Sequence, residues 1–233
     1  MDRVEMNHIT QIYQDRNGSP FLALKDLTLI WPHGKSIAVM GESGSGKSTL
    51  ARLLIGLQKP NQGNVMIDEI NTSKWNLREW RRHRADIQAV FQDASGTLNP
   101  ARSTYRNVEE ALCNFTMLPA AERKNRILSL MELTELSPAL LQVPVRKLSG
   151  GEQRRLALLR SLSVRPKFLI LDEVTAGLDL ISTDAVLRVL ENYQREYDCS
   201  YLVITHDIQT AKRLTEEILE MKNGEIIRKA VQI

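Results

Sequence analysis

The sequence predicts an α/β fold with a mainly parallel core sheet, antiparallel strands at its ends and an inserted α-helical segment. Two observations predict the α/β core. The apolar residues 37–40 run directly into a glycine-rich loop and a helix, and strand and helix patterns alternate again after residue 150. The insertion is predicted because residues 93–150 carry helical patterns and no convincing strand.

The elements before residue 93 are mostly strands. Residues 37–40 are continuously apolar, as in a strand buried on both faces, and the leucines of residues 50–57 recur at helical spacing. Residues 59–63, KPNQG, read as a turn. The predicted elements are strands at 4–14, 23–31 and 35–40, a helix at 50–57, and strands at 64–68 and 87–91.

Helices dominate the middle of the chain, and alternation returns after it. Helical patterns at 107–117 and 120–134 flank Pro119. Asn223-Gly224 between two apolar segments predicts a hairpin. The later elements are helices at 152–162 and 182–197, strands at 167–173 and 200–206, and hairpin strands at 218–222 and 225–229. We therefore predict one domain, 1–233, with a core at about 1–92 and 151–233 and a helical subdomain at about 93–150.

Composition excludes several classes of protein. Of 233 residues, 31 are Lys or Arg and 28 are Asp or Glu, while 42% are hydrophobic and 25% charged. These values exclude a disordered chain and a disulfide-stapled miniprotein. Cys113 and Cys199 are far apart, which predicts a reducing compartment and no structural metal. The start lacks the apolar region of a signal peptide, and no apolar run reaches the roughly 18–20 residues that span a bilayer.

One basic and aromatic cluster admits two interpretations. Its members are Trp75, Arg78, Trp80, Arg81, Arg82 and Arg84. Such a cluster can bind nucleic acid, or it can be the solvated face of a helix. The net charge of only +3 favours the solvated face, so no nucleic acid partner is expected.

The glycine-rich loop fits the phosphate-binding pattern G-x-x-x-x-G-K-[ST], and it lies between a buried strand and a helix as that pattern requires. Its backbone N–H groups and the helix N-terminus would face phosphates. Lys47 would reach the β and γ phosphates, and the Ser48 hydroxyl would coordinate Mg²⁺. A plain glycine turn is the alternative, which this context disfavours. The predicted ATP-binding residues of this P-loop NTPase motif are Gly41, Glu42, Ser43, Gly44, Ser45, Gly46, Lys47, Ser48 and Thr49.

Two acidic residues end a second buried strand. In KFLILDE, Asp172 and Glu173 lie at the carboxyl end, where ligands of open α/β sheets bind. Asp172 is predicted to hold the Mg²⁺ ion, and Glu173 to orient or deprotonate the attacking water. Helix capping is the alternative role for such a pair, and the phosphate loop in the same chain favours the catalytic one.

A second phosphate-binding segment precedes a helix. Leu148-Ser149-Gly150-Gly151-Glu152 opens the helix twenty residues before Asp172. One ATP could use both phosphate sites if two such domains met head to tail. Each domain would then contribute its glycine loop to one nucleotide and its LSGGE segment to the other.

These motifs, in this order, resemble those of the ATP-binding subunits of ABC transporters, over essentially the whole chain. The resemblance includes an aromatic residue before the phosphate loop, Walker A, the Q-loop glutamine, the LSGGE signature, Walker B, the D-loop aspartate and the switch histidine. It implies the ABC ATPase version of the P-loop NTPase fold. Val174 and Gly177 stand where the family usually has a proline and a small residue, and this departure removes no catalytic group.

The resemblance implies a role for each matched residue. Tyr13 would stack on adenine, and Gln92 would approach the metal and the attacking water. His206 would contact the γ phosphate, so Glu173, His206 and Gln92 are the implied catalytic residues. Ser48, Gln92 and Asp172 are the implied metal-binding residues. Asp179, with Ser149, Gly150, Gly151 and Glu152, would serve the nucleotide from the interface between two domains.

A finer resemblance concerns the type of transporter. FQDASGTLNPARST is similar to the corresponding stretch of the oligopeptide, dipeptide and nickel importer branch, and LDLISTDAVLRVL leans toward its nickel or metal-chelate members. This implies an ATPase at the cytoplasmic face of the membrane. Its partners would be permease subunits, a paralogous or identical ATP-binding subunit and, indirectly, an extracytoplasmic binding protein.

The alternative is a non-transport ABC ATPase in DNA repair or translation. Repair proteins of that class need long coiled-coil or zinc-bearing insertions, and the sequence shows neither sustained heptads nor cysteine clusters. A translation factor would carry two ATPase halves in one chain, and this chain carries one.

Overall fold

The computed structural model describes residues 1–15, 17–92 and 95–231. The predicted boundary at residue 93 therefore lies outside the described residues, as do Asp93 and Ala94 of the FQDA sequence. The strands are β1 (Arg3–Gln14), β2 (Pro20–Pro32), β3 (Ile37–Met40), β4 (Gln62–Ile67), β5 (Ile70–Asn71), β6 (Ile87–Val90), β7 (Phe168–Asp172), β8 (Ser200–Ile204), β9 (Glu217–Lys222) and β10 (Glu225–Val231). The helices are α1 (Lys47–Leu54), α2 (Leu77–His83), α3 (Thr104–Phe115), α4 (Ala120–Leu133), α5 (Gly150–Ser163), α6 (Leu180–Tyr197) and α7 (Ile208–Leu214).

The larger sheet has six strands in the order β10-β9-β3-β8-β7-β6. All neighbours are parallel except β10, which pairs antiparallel with β9 through the Asn223-Gly224 turn. Because the strands are parallel, the carboxyl ends of β3, β6, β7 and β8 share one edge. That edge carries the glycine-rich loop, the Asp172-Glu173 pair and the residues that follow Ile204.

Most of the antiparallel strands form a second sheet, in the order β2-β1-β4-β5. The structure thus confirms the α/β fold class and adds that these strands form a layer of their own. The two sheets meet where the amide of Lys25 in β2 donates to the Gly224 carbonyl oxygen, 3.0 Å away.

Two apolar clusters lie on the two faces of the six-stranded sheet. Alternate side chains of β7 serve each cluster: Phe168 and Ile170 pack toward the antiparallel sheet and α1, and Leu169 and Leu171 pack toward α5 and α6. All five residues of this strand are buried. Burial on both faces explains its continuous apolar sequence, since no position in it faces solvent.

The middle of the chain is helical. Among the described residues between Val90 and Phe168, the regular elements are α3, α4, α5 and short 3₁₀ turns. Local caps define these helices: the Ser103 hydroxyl accepts from the amide of Arg106, and Ser149 and Glu152 form a capping box at the start of α5. The exact division into core and helical subdomain stays a prediction. Within the described ranges, no helix is both long enough and apolar enough to cross a bilayer.

The basic and aromatic cluster turns its rings inward. Trp75 is buried, its ring packs edge-on against Trp80 at 5.0 Å and stacks on His83 at 4.3 Å. The Arg84 guanidinium lies 5.5 Å from the centre of the Trp80 ring. Arg78, Arg81 and Arg82 remain exposed, so α2 presents charge to solvent while its aromatic residues pack.

Candidate nucleotide site

The glycine-rich loop bends sharply between β3 and α1. Gly46, immediately before α1, has a φ of 106°, and a Cβ there would lie 2.3 Å from the Ala23 carbonyl oxygen. A Cβ at Gly41 would lie 2.1 Å from the Met221 carbonyl oxygen. Glycine is therefore required at both positions, because any side chain would collide with backbone of another strand. The buried Ser45 supports the loop, since its carbonyl oxygen accepts from the Gly224 amide at 3.0 Å.

Lys47 folds back over the loop. Its Nζ donates to the carbonyl oxygens of Gly41 and Glu42, each at 2.7 Å, and to the Ser45 hydroxyl at 3.2 Å. Burial lowers the pKa of Lys47, and the nearby carboxylates of Glu173 and Asp172 oppose that shift. The ammonium group is thus held in the mouth of the loop, where the phosphates of a nucleotide would lie.

Asp172 ends β7 and is only 5% exposed. Burial raises the pKa of this carboxyl group, whereas a hydrogen bond from the Ser48 side chain favours the charged form. A buried carboxyl group with one hydroxyl partner has spare acceptor capacity. The pair offers the oxygen ligands that a hard divalent cation prefers.

Glu173 and His206 face each other at the edge of the sheet. Glu173 adopts a left-handed backbone conformation, with φ of 52°, and its amide donates to the Ile204 carbonyl oxygen at 2.9 Å. The Nδ1 atom of His206 lies 2.9 Å from a Glu173 carboxylate oxygen, so Nδ1 carries the proton of this hydrogen bond. The bond leaves Nε2 of the 71% exposed His206 side chain available to another group.

A cleft of about 770 Å³ collects most of the predicted site residues. From the predicted set it is lined by Tyr13, Gly41, Glu42, Ser43, Gly44, Gly46, Lys47, Ser48, Thr49, Gln92, Asp172, Glu173 and His206. Its volume falls within the usual range for small-molecule sites. The cleft therefore combines phosphate-binding backbone, a cation, a buried carboxyl group and a Glu–His pair in one open space.

Sequence reasoning missed five residues that line this cleft. Phe21 lies opposite Tyr13 in the β1–β2 pairing, with ring centres 5.8 Å apart, and is 49% exposed. The Tyr13 hydroxyl also hydrogen-bonds the Gln58 side chain. The other four are Gln14, Ala23, Arg52 and Ala176. Cross-strand pairing in the β1–β2 hairpin was the signal that could have identified Phe21.

Gln92 lies two residues beyond β6 and is exposed at the wall of the cleft. A glutamine there has both a donor and an acceptor to offer a bound ligand.

The LSGGE segment does not line this cleft. Ser149 caps α5: its hydroxyl accepts from the Glu152 amide at 3.3 Å, and a Glu152 carboxylate oxygen accepts from the Ser149 amide at 2.7 Å. Ser149, Gly150 and Gly151 are exposed, and both glycines have no atom within 4 Å of where a Cβ would lie. The structure thus places the two predicted phosphate-binding segments of one chain at different surfaces.

Asp179 also lies outside the cleft, where it caps α6. Its carboxylate accepts from the Ser182 amide at 2.8 Å and from the Ser182 hydroxyl at 3.0 Å. These hydrogen bonds lower the pKa of Asp179. The next two residues, Leu180 and Ile181, are 88% and 81% exposed.

Comparison with known protein families gives one match that covers most of the chain. The sequence model of the ABC transporter family matches residues 24–176. The nickel import ATP-binding proteins NikE of Escherichia coli strains 536 and K12 are each 36% identical over 208 residues. Those alignments cover 89% of this chain and 78% of the relatives.

Solved structures give the same relationship. The dimeric ATP-binding cassette MJ0796, in a post-hydrolysis state bound to ADP and Pi, superposes with a TM-score of 0.88 at 31% identity, covering 98% of both chains. CbiO1 from Clostridium perfringens, part of the ABC transporter complex CbiONQ, superposes with a TM-score of 0.83 at 29% identity. That match covers 99% of this chain and 89% of CbiO1.

Proposed function

The chain belongs to the ABC transporter family and is an ATPase of it, and we propose that it powers an importer from the cytoplasmic face of a membrane. The observation that carries this proposal is the cleft in which the glycine loop and Lys47 lie beside Asp172 and the Glu173–His206 pair. This arrangement supplies phosphate binding and water activation together. Similarity to NikE, a nickel import protein, supports the importer assignment, and similarity to CbiO1 supports a place in a transporter complex.

Mg²⁺ fits the oxygen atoms at the end of β7. Asp172 and Ser48 would hold the ion, with the Gln92 side chain at the wall of the cleft as a further oxygen ligand. When bound, the ion would neutralise charge on the β and γ phosphates. The donor set is oxygen alone, and no cluster of three His, Cys, Asp or Glu side chains suited to a transition metal occurs among the described residues.

Different residues of this chain would bind the phosphates, contact the base and activate the attacking water. Backbone N–H groups of the loop and Lys47 would hold the phosphate chain, and Tyr13 with Phe21 would flank the base. Glu173 would orient the attacking water and accept its proton. His206, fixed through Nδ1 by Glu173, would direct Nε2 toward the γ phosphate.

A second ATP-binding subunit would complete each site. Ser149, Gly150 and Gly151 are exposed and remote from the cleft of their own chain, so we propose that they bind the γ phosphate held by a facing subunit, identical or paralogous. Asp179 would lie in the same interface. The solved dimer of the cassette MJ0796, which has the same fold, supports this arrangement.

Closure of the two subunits would be passed to a permease through the helical segment, because ATP favours the closed state and the products the open one. The cargo we propose is nickel, a metal chelate or a peptide, delivered to the permease by an extracytoplasmic binding protein. The similarity to NikE supports nickel or a metal chelate over the peptide.

The test replaces Glu173 with glutamine, which keeps the size of the side chain and removes its basicity. ATP hydrolysis should fall about a hundredfold or more, since loss of a general base costs that order. ATP-loaded dimers should accumulate in size-exclusion chromatography, for the chain alone or mixed with a paralogous ATP-binding subunit of the same genome.

Glu132→Gln is the matched control, because Glu132 is an exposed carboxylate on α4 outside the cleft. That variant should hydrolyse ATP like the unaltered chain. Undiminished turnover in Glu173→Gln would refute the catalytic assignment, and hydrolysis that a permease does not stimulate would refute the role in transport.

A further inference from the structure

A second, smaller cavity lies far from the nucleotide cleft, between α4, α6 and the connection from α5 to β7. It measures about 290 Å³ and shares no lining residue with the cleft. Arg165 lines it just before β7, whereas Asp172 lies at the opposite end of that strand. Its lining includes Glu122 and Arg126 of α4, Arg165, and Tyr193 and Tyr197 of α6.

Two guanidinium groups converge on this cavity from different walls. Arg126 comes from α4 and is partly buried, with one Nη1 donating to the Ser163 carbonyl oxygen at 3.3 Å. Arg165 comes from the α5–β7 connection. Burial lowers the pKa of Arg126, and the positive charge of Arg165 lowers it further. The two guanidinium groups are therefore close enough for their positive charges to repel each other.

No carboxylate within ion-pair distance of either arginine is found in the described part of the chain. Glu122 is the one acidic residue among the described lining residues, and it is exposed. The partly buried Arg126 therefore carries its charge beside a second guanidinium without a bonded carboxylate, which is electrostatically costly, while the exposed Arg165 is solvated. An anion in the cavity would remove that cost.

Arg165 is also held in an unusual backbone conformation. Its φ is 57°, in the left-handed region where glycine or asparagine is normally favoured at a helix end. Its guanidinium lies 4.9 Å from the centre of the Tyr197 ring, which orients the side chain toward the cavity mouth. The Tyr193 ring beneath is completely buried, and its hydroxyl donates to the Leu162 carbonyl oxygen at 2.9 Å. The floor is therefore rigid and the two cations line its rim.

We propose that this cavity binds a small phosphate-bearing anion between Arg126 and Arg165. Guanidinium groups present planar pairs of N–H donors that match phosphate oxygens. The tetrahedral oxygens of phosphate point in several directions, so one phosphate can accept from both walls at once. A carboxylate has two oxygens and one negative charge, so it offers the two guanidinium groups fewer acceptors and less charge than a phosphate does. The cavity volume, at the lower end of the range for ligand sites, fits a small ligand.

The ligand would connect α4 with the α5–β7 connection, and so join the helical middle of the chain to a core strand. This binding is independent of the proposed function, since the cavity shares no residue with the cleft. It can therefore fail or succeed whether or not the chain drives an importer.

The experiment measures thermal unfolding and calorimetric binding of the full chain with inorganic phosphate, at constant ionic strength set with chloride. The double variant R126Q/R165Q is compared with K124Q/K167Q, which removes the same charge from exposed lysines outside the cavity. Both variants keep the glycine loop, so phosphate binding there is the same in both. The difference between their phosphate responses therefore measures binding in the cavity.

We expect phosphate to raise the Tm of the unaltered chain and of K124Q/K167Q, and to raise it less in R126Q/R165Q. In R126Q/R165Q, the calorimetric Kd for phosphate at this cavity should rise about tenfold or more, because two charge-assisted contacts are removed. The single variant R165Q, at an exposed position, should show the same direction of change if the double variant folds poorly. Acetate at the same concentration should act weakly in all of them.

Equal phosphate responses in R126Q/R165Q and K124Q/K167Q would overturn the proposal. So would a fall in Tm of R126Q/R165Q without phosphate together with an unchanged phosphate response, because that combination assigns the arginines a structural role. Equal stabilisation by acetate and phosphate would overturn the choice of phosphate.

Discussion

Two segments of this chain have the sequence chemistry of a phosphate site, and the structure treats them differently. The glycine loop before α1 is enclosed by backbone from β2 and β9, and it faces Asp172 and Glu173 across the cleft. The LSGGE segment at the start of α5 is anchored by the buried Leu148 and a capping box, and its Ser149, Gly150 and Gly151 are exposed. A helix N-terminus with glycines is common to both, so the difference lies in what surrounds each one.

Under the proposed function, a single chain would hold one assembled half of a site, the enclosed loop, and one free half, the LSGGE segment. The enclosed loop has its cation, Lys47, and its carboxylates in place before any ligand binds. The exposed segment has donors without a cleft. Such an arrangement is expected when the missing surroundings come from another subunit. Substitutions in the two halves should then have different effects on ATP binding and on hydrolysis.

The largest effect is expected from Lys47→Ala in the enclosed half. This change removes the ammonium group that lies between the loop carbonyls and the carboxylates of Asp172 and Glu173. ATP hydrolysis should fall about a hundredfold or more, as when a charge-stabilising group is lost from a catalytic site. Steady-state phosphate release measures it.

Lys74→Ala serves as the control for that variant, because Lys74 is exposed and outside the cleft. If Lys47→Ala retained normal hydrolysis, the cleft would not be the place where ATP reacts, and the comparison between enclosed and free halves would lose its basis.

A smaller effect is expected from Ser149→Asn in the free half. Asparagine caps a helix as well as serine does, so α5 should keep its stability while the exposed hydroxyl is lost to a facing nucleotide. Hydrolysis should fall about tenfold or more, with ATP binding to the isolated chain unchanged. Nucleotide titration and turnover are measured side by side.

Ser149→Ala distinguishes the two roles of this side chain. It removes both the cap and the hydroxyl, so the free energy of unfolding should fall by about 1 kcal/mol relative to Ser149→Asn, with a similar loss of hydrolysis. Weaker ATP binding by the monomer in either variant would contradict the assignment of Ser149 to a facing subunit.

The smallest effect is expected where the base of the nucleotide would lie in the cleft, beside Tyr13 and Phe21. Tyr13→Ala removes one of two rings that line the cleft and should raise the Kd for ATP about fivefold to tenfold, since an aromatic stacking pair contributes about 1 kcal/mol. Tyr13→Phe keeps the ring and loses only the bond to Gln58, so its Kd should change little. Equal effects of the two changes would mean that the hydroxyl, not the ring, is what matters.

The sequence predicted the features that depend on local pattern. The apolar strands β3 and β7, the glycine loop and the leucine-rich helix α1 were all placed within a few residues of their bounds. Their signals are strong because a strand buried on both faces and a loop that must avoid a Cβ each restrict residue type at consecutive positions.

Other features depend on contacts between distant segments and left no such pattern. Helix α7 has seven residues and was not predicted, since its start is defined by the Asp207 side chain rather than by apolar periodicity. The separate antiparallel sheet follows from the pairing of β1 with both β2 and β4. Phe21 enters the cleft through its register opposite Tyr13, which a single strand pattern does not specify.

The contacts between the glycine loop and the β9–β10 hairpin determine how much of the chain is needed to keep the loop in shape. The family match ends at residue 176, yet the Gly41 backbone rests against Met221, and the Gly224 amide donates to the Ser45 carbonyl oxygen. A fragment cut after the matched region would keep all residues from Gly41 to Thr49 and lose the strand that shapes them. The smallest unit able to hold a nucleotide therefore extends to the β9–β10 hairpin, and a fusion, tag or split point belongs outside that hairpin.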